Sequence, residues 1–294
     1  MIEENINVAF LDGVIKNEYP DIYYHLGVST NDSVLDHFRE VKAVVIAGSG
    51  DRIKIFAEEW AAKRNKRIFV LPKEERFVTC YCDGVLFVSH GMGMPSASIC
   101  VQELMRLVYF LKDGDLEKLD EVFWCRVGTS GGVGCEPGTV IVTTESLMVD
   151  MKPYRVLIGK KELFMNGNFP MDIAEAIIKA NQHCGFGVKP GKTVSGNDFF
   201  IEQMRTDGAI CLIDEPRKIK WLNWIYENGV RNIEMESALL AGFMNHWGFS
   251  RFATICVAIV NRLKGDQIES TKEQLLAFNE SSGIALFNYL ETIM

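Results

Sequence analysis

Three apolar runs of this chain each stop at a glycine-rich turn: "VKAVVIAGSG" from Val41 to Gly50, "GVLFVSHGMG" from Gly84, and "EVFWCRVGTSGGVG" from Glu121. Runs of this length, rich in β-branched and aromatic residues, read as buried strands, and the glycines mark where the backbone leaves the sheet. Helical spacing follows the first two, in "DRIKIFAEEWAAKR" and "PSASICVQELMRLVYFLKDG". Further strands are read at "KRIFVLP", "GTVIVTTES" and "RFATICVAIVNR". Further helices are read at "MDIAEAIIKANQ", "RKIKWLNWIYENG", "ESALLAGFMNHWG" and the C-terminal "TKEQLLAFNESSGIALFNYLETIM". Strands alternating with helices restrict the chain to an α/β fold, here a single domain with a central mixed sheet flanked by helices. In such a fold a ligand sits at the carboxyl ends of the strands, where the glycine turns are.

The 294 residues, 48% hydrophobic and 24% charged, suit one such domain over residues 36–294. Residues 1–35 read as an N-terminal arm, in which "NEYPDIYYHLGVSTND" forms an extended segment with a turn that is free to reach a neighbouring molecule. No apolar run is long enough to span a bilayer, and "MIEENINVAF" is acidic where a secretory signal is basic, so a cytoplasmic protein without membrane contact is expected. A net charge of −8 argues against a nucleic-acid surface. The eight cysteines form no CxxC pair and the five histidines none at metal-ligand spacing, which predicts reduced thiols and no metal site.

Four motifs carry candidate chemistry. In "GSGDR", Gly48, Ser49 and Gly50 offer backbone N–H groups at a helix start with Arg52 one turn in, which suits an anion or is a plain strand-to-helix turn. In "RVGTSGG", Arg126 lies inside an apolar strand just before a turn that carries Thr129 and Ser130. A guanidinium there needs an internal carboxylate or a bound oxyanion. "NDFFIEQMRTDGA" places Gln203 and Arg205 two residues apart, on one face of an extended segment, beside Phe199 and Phe200. That set fits the imide edge of a pyrimidine, or is a solvated loop. In "IEMES", Glu234 and Glu236 share a face at a strand end; a carboxylate there can accept a vicinal diol, and Glu236 can equally act as a helix N-terminal acid.

"GSGDR", "SHGMGMPS", "RVGTSGG", "DFFIEQMR", "IEMES" and "IVNR" occur in the order found in the phosphate-using nucleoside phosphorylases, and the chain resembles the uridine-cleaving members of that family over residues 20 to 290. The resemblance implies phosphate-dependent cleavage of uridine to uracil and ribose 1-phosphate, with phosphate as co-substrate and no cofactor. Gly48, Arg52, Arg126 and Thr129 would hold phosphate, joined by Arg76 of an adjacent subunit. His25, also lent across a homodimer interface, would reach the ribose 5′-hydroxyl, while Met235 and Glu236 seat the ribose. Gln203, Arg205 and Phe199 would read uracil, with help from Arg262; Arg126, Gln203 and Arg205 would be the catalytic set.

Asn261 stands where purine-acting relatives carry an aspartate, which directs the expectation to pyrimidines. Phe77 replaces a glutamate of a monovalent-cation site in hexameric relatives, so no bound potassium is expected. Ile201 and Glu202 depart from the family pattern just before Gln203. "RLKGDQIESTKEQ" reads either as a mobile flap over the base or as an ordinary surface loop. The competing readings are a phosphorylase of another nucleoside, a catalytically silent nucleoside-binding paralogue and, more distantly, a dinucleotide-binding oxidoreductase. The last lacks its third glycine and its acidic residue.

Overall fold

The computed structural model describes residues 21–71 and 76–294. It is the expected α/β domain with a mixed sheet flanked by helices, within which contacts gather into two compact units, Met1–Gly91 with Pro95–Trp124, and Met92–Met94 with Cys125–Met294. The first unit opens with a small antiparallel hairpin, β1 (Ile22–Tyr23) and β2 (Val28–Ser29), followed by a 3₁₀ turn at Ser33–Phe38. The part of the arm within the described residues is therefore folded onto its own unit: Tyr23 is buried, and Asp21 pairs with Arg106. Residues 1–20 of the predicted arm lie outside the described residues.

Strand β3 (Ala43–Ala47) is buried at every position and leads through Ser49 into helix α1 (Gly50–Arg64). The Ser49 side chain accepts from the Arg52 N–H and so caps the helix start, as glycine-serine turns at this position do. Strand β4 (Phe69–Val70) is only a two-residue edge of the predicted "KRIFVLP" strand. Strands β5 (Thr79–Cys82) and β6 (Val85–Ser89) follow; β6 runs parallel to β3 and antiparallel to β5. Ile53, Phe56, Ala57, Trp60 and Ala61 form the buried face of α1, which packs on β3, β5 and β6. Helices α2 (Met94–Leu111) and α3 (Leu116–Asp120) then lead to β7 (Phe123–Gly132), whose first residue donates to the Lys42 carbonyl at 2.9 Å.

The second unit contains the rest of β7, β8 (Val140–Met148), the hairpin β9 (Tyr154–Ile158) and β10 (Lys161–Met165), and helix α4 (Met171–Ala180). After these come β11 (Val188–Ser195), α5 (Glu215–Glu227), β12 (Val230–Glu234), α6 (Ser237–Trp247), β13 (Phe252–Asn261) and α7 (Lys272–Ile293). The strands run β12-β11-β8-β13-β7, and β12 pairs back on β7 through Asn232↔Gly132 and Ile233↔Gly131, so the five strands form a closed circuit. Closure removes free edges. A buried chain of side-chain hydrogen bonds crosses four of them: Thr143 to Thr193 at 2.7 Å, Thr193 to Asn232 at 2.7 Å, and Asn232 to Ser130 at 3.0 Å. Each such bond is worth about 0.5–1.5 kcal/mol net, and leaving one partner unsatisfied costs more than the bond itself returns.

Two readings of the sequence are corrected here. "RVGTSGG" does not turn after Arg126: β7 continues through Thr129 and Ser130 to Gly132. Its glycines serve close approach rather than a bend, since a Cβ on Gly132 would lie 2.8 Å from the Cys135 carbonyl oxygen and 3.1 Å from that of Val260. Strand β11 and the β9–β10 hairpin are additional to the predicted elements; Pro190, Gly191 and the buried hydroxyls of β11 hide its strand character.

Backbone atoms at Gly132 cannot yield to a methyl group, whereas nothing lies within 4 Å of a Cβ on Gly185. Gly132→Ala is expected to destabilise the fold by about 1–3 kcal/mol, and Gly185→Ala to leave it unchanged or slightly more stable. Paired denaturant unfolding curves check this; equal stabilities would refute the packing role of Gly132.

Candidate active site

Arg126 sits in β7 with a side chain only 5% exposed. Its Nη1 lies 2.9 Å from Glu234 Oε2 and 2.8 Å from the Cys256 sulfur, and its Nη2 pairs with Glu236 Oε2. Gly128 makes room for this, because a Cβ there would meet Nη2 at 3.0 Å. Burial by itself disfavours the charged guanidinium, but Glu234, Cys256 and Glu236 outweigh it and raise the pKa of Arg126 above its ordinary value. The Cys256 thiol is pushed up to about 11, chiefly by burial, and stays neutral near pH 7. The buried Nε–H of Arg126 has no hydrogen-bond partner among the described residues.

The two glutamates divide the roles that the sequence left open for Glu236. Glu234, the last residue of β12, accepts from the N–H groups of Glu236 (2.9 Å) and Ser237 (3.0 Å) and from the Ser195 hydroxyl, so it is Glu234 that satisfies the start of α6. Glu236 occupies the N-cap position without a capping hydrogen bond. Its Oε1 instead accepts from the Gly93 N–H at 2.6 Å, and its Oε2 faces Arg126. Met235 between them is half-buried. Thr129 lies three residues beyond Arg126 on the same strand and is also half-buried.

Gln203 and Arg205 do not leave one face of an extended segment. Met204 between them has a left-handed φ of 55°, and the loop turns there, so the alternation rule fails. Arg205 places Nε 2.8 Å and Nη2 2.5 Å from the two oxygens of Asp207, a bidentate pair, and its guanidinium lies 4.6 Å from the Phe199 ring centroid. The hydrogen bond from Arg205 is the largest factor holding the Asp207 carboxyl below its usual range. Gln203 is buried, and its main-chain oxygen accepts from Arg262 Nη2 at 2.7 Å. Arg262 is 1% exposed and spends Nε on Asp266 Oδ1 at 2.7 Å, so it braces the Gln203 backbone.

Asp266 joins these parts. Its Oδ2 lies 2.9 Å from the buried Nζ of Lys218 on α5 and accepts from the Thr206 N–H at 3.2 Å, and its carbonyl accepts from Arg205 at 3.1 Å. The segment read as a flap or surface loop is therefore anchored at its start. Asn261 donates to Glu136 at 3.2 Å and accepts from the Leu263 N–H at 3.2 Å.

The remaining candidates lie in the first unit. Gly48 precedes the α1 N-terminus, where a Cβ would approach the Gly91 carbonyl oxygen to 3.0 Å; Arg52 is half-buried in the first turn. Arg76 is exposed, and its N–H donates to the His25 carbonyl at 3.3 Å. His25 gives Nδ1 to Glu103 at 2.6 Å. Phe77 is buried beside the His25 ring, 6.2 Å between centroids.

A family model described as the phosphorylase superfamily matches residues 42–294. The chain belongs to the phosphorylase superfamily, as the motif order implied. It is 35% identical over 264 residues to the uridine and thymidine phosphorylase of Caenorhabditis elegans, covering 88% of this chain and 87% of that one. It is 30% identical to the inactive uridine phosphorylase B of Schistosoma mansoni, over 92% of each. The crystal structure of uridine phosphorylase from Schistosoma mansoni in complex with uracil superposes with a TM-score of 0.86 at 31% identity, over 98% of each chain.

Glu103, Asp207, Lys218, Cys256 and Asp266 escaped the sequence reading. Lys218 carried a signal, since it falls on the apolar side of its helix beside Leu222 and Ile225, and Asp266 stands four residues from Arg262. Burial alone would raise the Asp266 carboxyl, but the hydrogen bond from Lys218, the charge of Arg262 and the Thr206 N–H together hold it below its usual value. A depressed folded pKa means that this stabilisation is complete above the unfolded value of about 3.9 and is lost as pH falls through the lower folded value. Asp266→Asn leaves two buried cations under-compensated and is expected to cost about 3–5 kcal/mol at pH 7. The gap from wild type should narrow below pH 4; unfolding curves at pH 7 and pH 3 measure both, and a constant gap would contradict the ion-pair account.

Proposed function

We propose that this protein is a uridine phosphorylase, a pentosyltransferase that cleaves uridine with phosphate to give uracil and ribose 1-phosphate, reversibly. The observation that carries the reading is the direct pairing of Arg126 with Glu236. The cation suited to an oxyanion is bonded to the carboxylate suited to the ribose diol, so co-substrate and sugar are held next to one another. The uncommitted Nε–H of Arg126 is a donor for phosphate on this reading, with Thr129 on the same strand; Gly48 and Arg52 keep the phosphate-binding roles that the family resemblance implies.

Phosphate so aligned attacks C1′ as the glycosidic bond lengthens, and its charge stabilises the oxocarbenium-like transition state. Uracil leaves with negative charge spread over its carbonyls, toward the donors of Arg205 and Gln203; a donor in such an anion-stabilising position is worth about 2.7–4 kcal/mol. Asp207 orients Arg205, Phe199 packs on the base, and Arg262 fixes the Gln203 backbone. Asn261 is no acid for a purine leaving group, which favours pyrimidines. All eight cysteines are free and six of them are buried, which fits a cytoplasmic setting, and no helix among the described residues is long and apolar enough to cross a membrane.

The test is uracil release from uridine with phosphate present and with phosphate omitted. Release only with phosphate is expected, and release without it would make the protein a hydrolase. A specific observation keeps a second reading in view: one relative of 30% identity is an inactive uridine phosphorylase. Binding of uridine without turnover would establish that silent alternative.

Two residues of the set, His25 and Arg76, complete the site of a neighbouring subunit in a homodimer on this reading. Glu236→Gln and Arg76→Ala are each expected to lose at least about tenfold in kcat/KM, the value of a hydrogen bond to a charged group. Refolding the two variants together restores activity if Arg76 acts across the interface, because a mixed dimer then holds one intact site. No recovery in demonstrably mixed dimers would place Arg76 in its own subunit's site.

A further inference from the structure

Glu103 on α2 is committed to one short segment. Its Oε2 accepts from the backbone N–H groups of His25 (3.1 Å) and Leu26 (3.0 Å), and its Oε1 lies 2.6 Å from His25 Nδ1. The ring is held between Tyr24, edge-on at 5.1 Å, and Phe77 at 6.2 Å, so its orientation is fixed. A carboxylate only accepts, so the proton of a neutral His25 resides on Nδ1, and Nε2 keeps its lone pair. Nε2 has no polar partner among the described residues, and the side chain is 30% exposed.

We propose that Glu103 is a positioning residue that sets specificity: by holding the Nδ1 proton of His25 it presents a bare Nε2 acceptor to the sugar's 5′-hydroxyl and selects free nucleosides over 5′-phosphorylated ones. The inference rests on the uridine phosphorolysis reading. With the diol assigned to Glu236 and the base edge to Gln203 and Arg205, the 5′-hydroxyl is the one nucleoside donor left for an imidazole acceptor. A 5′-phosphate offers that lone pair only acceptor oxygens, and like meets like.

Glu103→Gln tests the idea without removing bulk. The two backbone N–H groups keep the single amide oxygen, which leaves the amide NH₂ facing Nδ1 and transfers the ring proton to Nε2, now a donor. Nitrogen-15 spectra of the histidines report the tautomer directly, and loss of a signal in His25→Asn assigns it among the five histidines. The expected result is Nδ1–H in wild type and Nε2–H in Glu103→Gln. Together with this, the ratio of KM for uridine to the inhibition constant of uridine 5′-monophosphate should shift toward the nucleotide by about fivefold or more, the scale of one hydrogen bond. KM for phosphate should not change, whereas a merely structural role would move it as well. An Nε2–H tautomer in wild type, or an unchanged ratio, overturns the proposal. Absence of uracil release by wild type would sink the phosphorylase reading instead, while the tautomer spectra would still report on Glu103.

Discussion

Removing a guanidinium from water costs several kilocalories per mole unless its donors are satisfied, and Arg126, inside a strand of a closed five-strand circuit, has no route to solvent for most of them. The fold answers with two carboxylates and a sulfur. Glu234 is held in turn by Ser195 and by the first N–H groups of α6, and Glu236 by the Gly93 N–H. Positions far apart in the chain, on β7, β12, β13 and the turn before α2, thus converge on one side chain. Gly128 is glycine because the guanidinium lies over it. For the proposed reaction, such a cluster presents groups already aimed, so that little reorganisation is required when charge develops.

The same economy governs the loop proposed to read the base. Gln203 and Arg205 sit on a segment with little regular structure, which would wander without support. Asp266 supplies that support by pairing Arg262, Lys218 and the Thr206 N–H, while Arg262 takes the Gln203 carbonyl and Asp207 takes Arg205. The cations around Asp266 hold its carboxyl below its usual value, and its ion pairs tie the loop to α5 and to the end of β13.

Much of the architecture was legible from the chain alone. Apolar runs located β3, β6, β7, β8 and β13, the first three of them ending in glycine, and helical spacing located α1, α2 and α4 to α7. Strands built from hydroxyls were not legible: β11 reads as polar, yet Thr193 and Ser195 are buried because their partners lie on β8 and β12, distant in sequence. The glycines of "RVGTSGG" were legible as necessary but not as to why, since close approach by Cys135, Val260 and Arg262 leaves no local trace.

The sequence by itself determined the α/β class, the family and the set of residue types, because periodicity, glycine placement and motif order are properties of the chain. Only the tertiary structure decided who pairs with whom. It made Glu234 the helix acid and Glu236 the partner of Arg126, it bent the chain at Met204 so that Gln203 and Arg205 are not related by strand alternation, and it brought Glu103 onto the imidazole of His25. Hydrogen bonds and ion pairs act over a few ångströms whatever the separation in sequence, and so they become readable only when the strands are assembled.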